Sequence, residues 1–249
     1  MIVPLNRFRA GLTVLLFVLA AHPVWADAVP KSAEERQRIL SRLNWQQGPK
    51  RIAIPGAAAT FDLPAGMSAV TGRDAERASL LVKGVENPDV CAVIVASNFT
   101  VYVTYRADGY IRMDDWSDVD PDALMREIVR SNRDTNQATK GLGMAEFSQE
   151  YWEISPQLNR DLAIAYWAVG FTYASQEQIN IDAFRLGRYG VLRALIAMSK
   201  DDYEDNPTVV RLLENNIGYD RGARHEDHQA GDKIAPYGTV KMLMDAARF

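Results

Sequence analysis

Hydrophobic and polar positions along the chain alternate between two periods, and the switches divide it into elements. Ser32-Ala33-Glu34-Glu35 has the form of a capping box, and Ile39, Leu40 and Leu43 follow on one helical face. Trp45-Gln46-Gln47-Gly48-Pro49 breaks that helix. Arg51–Ile54 and Ala59–Leu63 read as short strands, punctuated by Pro55-Gly56 and Pro64-Ala65-Gly66. A helix capped by Asp74 runs to about Val82 and is stopped by Gly84. Val90–Ser97 is continuously apolar and so a central strand. Phe99–Arg106 is aromatic and β-branched. Asp108-Gly109 predicts a tight turn, with Tyr110–Met113 returning as the partner strand.

Asp120-Pro121 starts a helix with Leu124, Met125, Ile128 and Val129 on one face. Strands are predicted near Met144–Ile154, Leu162–Phe171, Ile179–Phe184 and Val191–Met198. A helix opens at Asn206-Pro207, turning Val209, Val210, Leu213 and Ile217 inward, and a last one begins near Pro236. Several strands follow one another without intervening helices. The fold class is therefore α+β, a mostly antiparallel sheet covered by helices.

The first 26 residues stand apart. Arg7 and Arg9 precede an uncharged run from Ala10 to Ala21, and Val24-Trp25-Ala26 offers compact residues before a cut at Asp27. The run is too short to cross a bilayer as a helix, which needs about 20 residues. The expected organisation is an export signal over 1–26, a helical lead-in over 27–44, and one α+β domain over 45–249. The expected location is the periplasm if the chain is cleaved after Ala26, or the inner membrane if the segment is retained. Removal of the signal leaves no spanning helix in the mature chain and 26 basic against 32 acidic side chains. That balance argues against a nucleic-acid binder. Cys91, the only cysteine, excludes an internal disulfide and reads as a small buried hydrophobe.

Candidate chemistry is thin. Asp118, Asp120 and Asp122 have the odd spacing of a calcium loop, but Ala123 and Val129 stand where Gly and Glu are needed. Asp120 is more simply a helix cap. His225-Glu226-Asp227-His228 places two histidines three apart, not the four of a zincin helix, and reads as a polar loop. No G-x-S-x-G elbow is present. Arg185 and Arg188, three apart beside Gly187 and Gly190, could hold a carboxylate or phosphate, or pair with internal acids. Asp232 could cap the last helix or pair with either arginine. No metal site and no cofactor are expected.

Taken in order, several motifs resemble a known family. They are Trp45–Pro49, Asp108–Asp115, Asn136 with Lys140 and Gly141, Tyr151-Trp152 with Pro156, Trp167, Leu186–Leu192 and Gly231–Gly238. The chain resembles the bacterial membrane-anchored proteins catalogued as domain of unknown function family 2167, over roughly Trp45 to Gly238. The resemblance implies an export signal, an external domain and hydrophobic C-terminal helices, but no reaction. Here Lys241 and Arg248 keep the last helix amphipathic, so no such anchor is expected. By analogy of element order, the fold is similar to the PsbP and Mog1 group.

The expected function is an exported envelope module that binds a partner protein without catalysis, with peripheral membrane association open to it. The alternative is an enzyme or small-ligand binder using Asp114, Asp115, Arg185, Arg188, Asp232 and Lys233, which cluster in the motifs of the resemblance. A third reading is a periplasmic metal carrier using His225 and His228.

Overall fold

The computed structural model describes residues 32–83, 87–140 and 144–248. The predicted export signal and the helix stop at Gly84 lie outside them. Eleven strands and six α-helices are described. The strands are β1 (Gln46–Gln47), β2 (Lys50–Ile54), β3 (Ala59–Leu63), β4 (Ser68–Thr71), β5 (Val90–Val95), β6 (Phe99–Arg106), β7 (Phe147–Asn159), β8 (Ile164–Tyr173), β9 (Gln176–Leu186), β10 (Val191–Ser199) and β11 (Ile217–Tyr219). The helices are α1 (Ala33–Leu40), α2 (Arg73–Lys83), α3 (Pro121–Thr139), α4 (Lys200–Asp205), α5 (Val210–Asn216) and α6 (Thr239–Ala246).

An eight-stranded sheet runs in the order β1-β4-β5-β6-β10-β9-β8-β7, and a three-stranded sheet in the order β11-β3-β2. Every strand pair is antiparallel. The expected α+β class, an antiparallel sheet with helices, is the one found.

Alternation along the central strands sends each residue to one of two layers. Ile179, Ile181 and Ala183 of β9 join Val101 and Val103 of β6 against Phe61 and Leu63 of the small sheet. The other face of the large sheet is covered twice. Over β5 and β6, α2 lays Ala75 and Ala78 on Val93 and Tyr102. Over β8 and β9, α3 and α6 contribute Leu124, Met242 and Leu243 to a cluster with Trp167, Phe171 and Phe184. Asp120 caps α3 as expected, accepting from the backbone of Asp122 at 2.9 Å and Ala123 at 3.1 Å, with Pro121 in the first turn. Cys91 is buried, its thiol facing the Val103 carbonyl, and burial pushes its pKa up to about 12.

Three sequence expectations are corrected. Asp74 lies in the first turn of α2 and not at its cap, and it accepts from the Asn44 backbone at 2.8 Å. Tyr110–Met113 is not a strand returning on β6, because β5 and β10 already occupy both edges of β6. Tyr110 instead makes one parallel bridge to Ile234, 124 residues on. Ile217 does not extend the helix opened by Asn206-Pro207; it starts β11, which pairs with β3.

Candidate functional site

The segments that carry the charged candidates meet at one end of the large sheet. The β9–β10 turn, the stretch after β6, and the stretch between β11 and α6 are tied there by backbone hydrogen bonds. Gly109 donates to Tyr189 at 3.1 Å, Tyr110 to Lys233 at 2.8 Å, Ala235 to Tyr110 at 2.9 Å, and Arg188 to Ala223 at 2.8 Å. The β7–β8 turn adjoins them, since Leu186 donates to Ala163 at 2.8 Å.

Close backbone approach makes this convergence possible. Gly109 has φ +105°, and a Cβ there would sit 2.5 Å from the Lys233 carbonyl oxygen. A Cβ on Gly190 would collide with the Arg106 carbonyl.

Side chains then fasten the segments. Arg188 grips Asp232 with both ends of its fork, Nε to Oδ2 at 2.7 Å and Nη2 to Oδ1 at 2.8 Å. The two side chains are only 13% and 12% exposed. Asp232 also accepts from the Gln229 backbone at 2.7 Å. The Arg188 hydrogen bonds, and then that backbone donor, hold the Asp232 carboxyl down at about 2. Arg106 pairs with Asp108, and the Tyr237 hydroxyl joins them, accepting from Arg106 and donating to Asp108. Burial, reinforced by Asp108, pushes the Tyr237 phenol up to about 12.

Of the other candidates, Arg185 turns away from Asp232 and donates to the carbonyls of Glu214 at 3.2 Å and Ile217 at 2.6 Å. Lys233 is exposed and reaches the Ala107 carbonyl at 3.3 Å. Asp114 is exposed. Asp115 caps α6 from 124 residues away, accepting from the Thr239 backbone at 2.9 Å and the Val240 backbone at 3.1 Å. Gly238 leaves the room it needs, since a Cβ there would strike the carboxylate. Asp232 is thus not the cap of the last helix; Asp115 is. Its replacement by alanine leaves the first amides of α6 unpaired and is expected to cost about 1–2 kcal/mol, read as a lowered urea midpoint.

His225 and His228 stack against Tyr110, with ring centroids 4.2 Å and 4.0 Å from it. His225 Nε2 lies 2.9 Å from the Ile111 carbonyl, which makes that nitrogen the donor and fixes the neutral tautomer. No group of three or more His, Cys, Asp or Glu side chains gathers in a metal-holding arrangement among the described residues.

Burial lowers the His225 pKa more than the Ile111 carbonyl raises it, and His228 lowers it further. The unfolded chain therefore takes up the proton first. The stability that His225 contributes is complete above the ordinary imidazole value of about 6.5 and is lost as pH falls below it. The melting temperature should drop more steeply from pH 7 to pH 5 in the parent protein than in His225→Gln. Parallel pH profiles would contradict this.

Sequence reasoning found Arg188 and Asp232 but missed Arg106, Asp108 and Tyr237 as one unit. Asp108 lies inside a motif, but Asp108-Gly109 has the composition of a hairpin turn, which hides the pairing with Arg106 and Tyr237. Of the six charged candidates, two close on each other, two bind carbonyls, one caps a helix and one faces solvent.

A family described as "Protein of unknown function (DUF2167)" matches residues 46–247. No curated protein matches the chain. Among solved structures, the solution structure of cyanobacterial PsbP (CyanoP) from Synechocystis sp. PCC 6803 is 11% identical, with a TM-score of 0.40 over 69% of this chain and 92% of that one. The Ran-binding protein Mog1p of Saccharomyces cerevisiae is 11% identical, with a TM-score of 0.32 over 70% and 96%. LpqN, involved in cell envelope biogenesis of Mycobacterium tuberculosis, is 11% identical, with a TM-score of 0.33 over 73% and 94%.

Proposed function

The chain belongs to the DUF2167 family, and on that premise we propose that it is an exported cell-envelope module that binds a partner protein and performs no catalysis. One observation carries the reading: the paired charges of the motif segments are engaged in holding the 220–238 stretch against the sheet end. The Arg188–Asp232 fork is closed, and Asp115 and Arg185 bind backbone. Contacts of this kind hold segments together, and they support a structural role for these charges.

That same end offers a contact surface. Leu162, Tyr189 and Ile234 are the large apolar side chains left exposed among the described residues, and all three lie on it. Exposed apolar groups gathered on one face are a common mark of association. Export rests on the basic and apolar pattern of residues 1–26, and the division into signal, helical lead-in and single domain belongs to the same reading. Among the described residues no helix is long and apolar enough to cross a membrane.

Photo-crosslinking in intact cells tests the proposal. With the full chain expressed in its host, a crosslinker at position Tyr189 should give a discrete protein adduct. One at Glu177, at the far end of β9, should give none. Equal yields from both positions, or none from either, would sink it. Intact mass of the exported material should begin at Asp27; retention of Met1 to Ala26 would make it an anchored protein.

A further inference from the structure

The polar residues of β9 that alternate with its apolar ones face α3 and α6, where hydrocarbon would be expected. Gln178, Asn180 and Asp182 are 1%, 7% and 7% exposed. Asp182 is neutralised by Arg193, whose Nε donates to it at 2.6 Å. Asn180 and Gln178 are not matched in this way: Asn180 Oδ1 and Gln178 Nε2 are buried with no hydrogen-bond partner among the described residues, and Asn180 is the one that lines a pocket. A buried amide oxygen without a partner is destabilising, and a core leucine would avoid the cost.

Asn180 lines a pocket of about 40 Å³ between β8, β9 and the two helices. Phe147, Trp167 and Phe171 form apolar walls, Ser131 and Asn132 of α3 and Asp182 join Asn180 in the lining, and the Asn132 Nδ2 is engaged by Glu150 at 2.9 Å. We propose that this pocket is a binding site for a neutral group of carboxamide size, carried on a short apolar stem.

Three features set that chemistry. First, the volume exceeds the roughly 10–15 Å³ that one water needs but falls well short of the ~150 Å³ that holds benzene, so only a few heavy atoms enter. Second, Asp182, the charged side chain in the lining, is already compensated by Arg193, so a charged ligand would be desolvated without a counter-ion of its own. Third, an asparagine amide can turn to present either its oxygen or its nitrogen, and another amide complements both at once. The site is separate from the Arg188–Asp232 joint, and the proposal does not depend on the partner-binding reading.

Titration of the purified protein with acetamide, followed by ¹H–¹⁵N spectra, tests it. The Asn180 side-chain amide and the Trp167 indole N–H should shift saturably with acetamide and not with the isosteric anion acetate. Asn180→Leu should weaken the acetamide response by about tenfold or more while leaving the melting temperature unchanged or higher, because it removes an unpartnered amide. Absence of a saturable shift would mean that the pocket holds water only. Equal responses to acetate, or a melting temperature clearly lowered by Asn180→Leu, would also overturn the proposal, the latter by showing a structural role for the amide.

Discussion

Trp167→Ala should destabilise the protein by about 3–5 kcal/mol, the range for removing a large aromatic side chain from a packed interior. Trp167 is 2% exposed and meets Phe184 at 5.1 Å and Trp152 at 6.4 Å between ring centroids. It sits where β8 faces the helices, so its removal uncouples the sheet from α3 and α6 together. Against the 5–15 kcal/mol typical of folded domains, the loss is large. Chemical denaturation monitored by circular dichroism would report it. Trp167→Phe, which keeps a ring in the site, should lose clearly less. An alanine variant within about 1 kcal/mol of the parent would show that this cluster does not hold the layers together.

Gly109→Ala is the second large effect, and it acts on the joint. The substitution sets a side chain at φ +105° and drives its Cβ to 2.5 Å from the Lys233 carbonyl oxygen. Backbone strain alone is worth about 1–3 kcal/mol, and relief of the clash must separate the two segments, so a total near 3 kcal/mol is expected. The Tyr110–Lys233 and Ala235–Tyr110 hydrogen bonds are the first to open. Limited proteolysis should then cut between Asp220 and Gly238, and the parent protein should resist cleavage there. Intact protein under the same digestion would count against the joint.

Much of the fold was legible in the sequence wherever one physical signal acted alone. Val90–Ser97 and Leu162–Phe171 are apolar on successive residues, and strands covered on both faces require that. Asp120-Pro121 marked the start of α3 because cap and first turn are local chemistry. The failures share a cause: each turned on a partner distant in sequence. Asp108-Gly109 has the composition of a hairpin turn, yet its glycine serves a contact with Lys233 instead. Nothing near Asp115 discloses that its carboxylate caps a helix beginning at Thr239. The alternation of Gln178, Asn180 and Asp182 with Ile179, Ile181 and Ala183 looks like a strand with one wet face. Here that face is dry, because α3 and α6 cover it.

The charged candidates illustrate the same limit. Their concentration in the motif segments was visible, and so was the possibility that Arg188 pairs with Asp232. Whether six charges form a site or a set of fasteners depends on where each one points, and that is a property of the assembled sheet end.

The central claim is that these residues hold the 220–238 stretch and the start of α6 in place. Hydrogen exchange in Arg188→Gln tests it most directly. The account predicts that the amides of Arg188, Asp232, Ala235 and Thr239 exchange about tenfold faster or more, while those of Val101, Ile181 and Ile196 in the sheet core keep their protection. Unchanged exchange at the joint would contradict the account, because Arg188 would then not be what holds these segments in place.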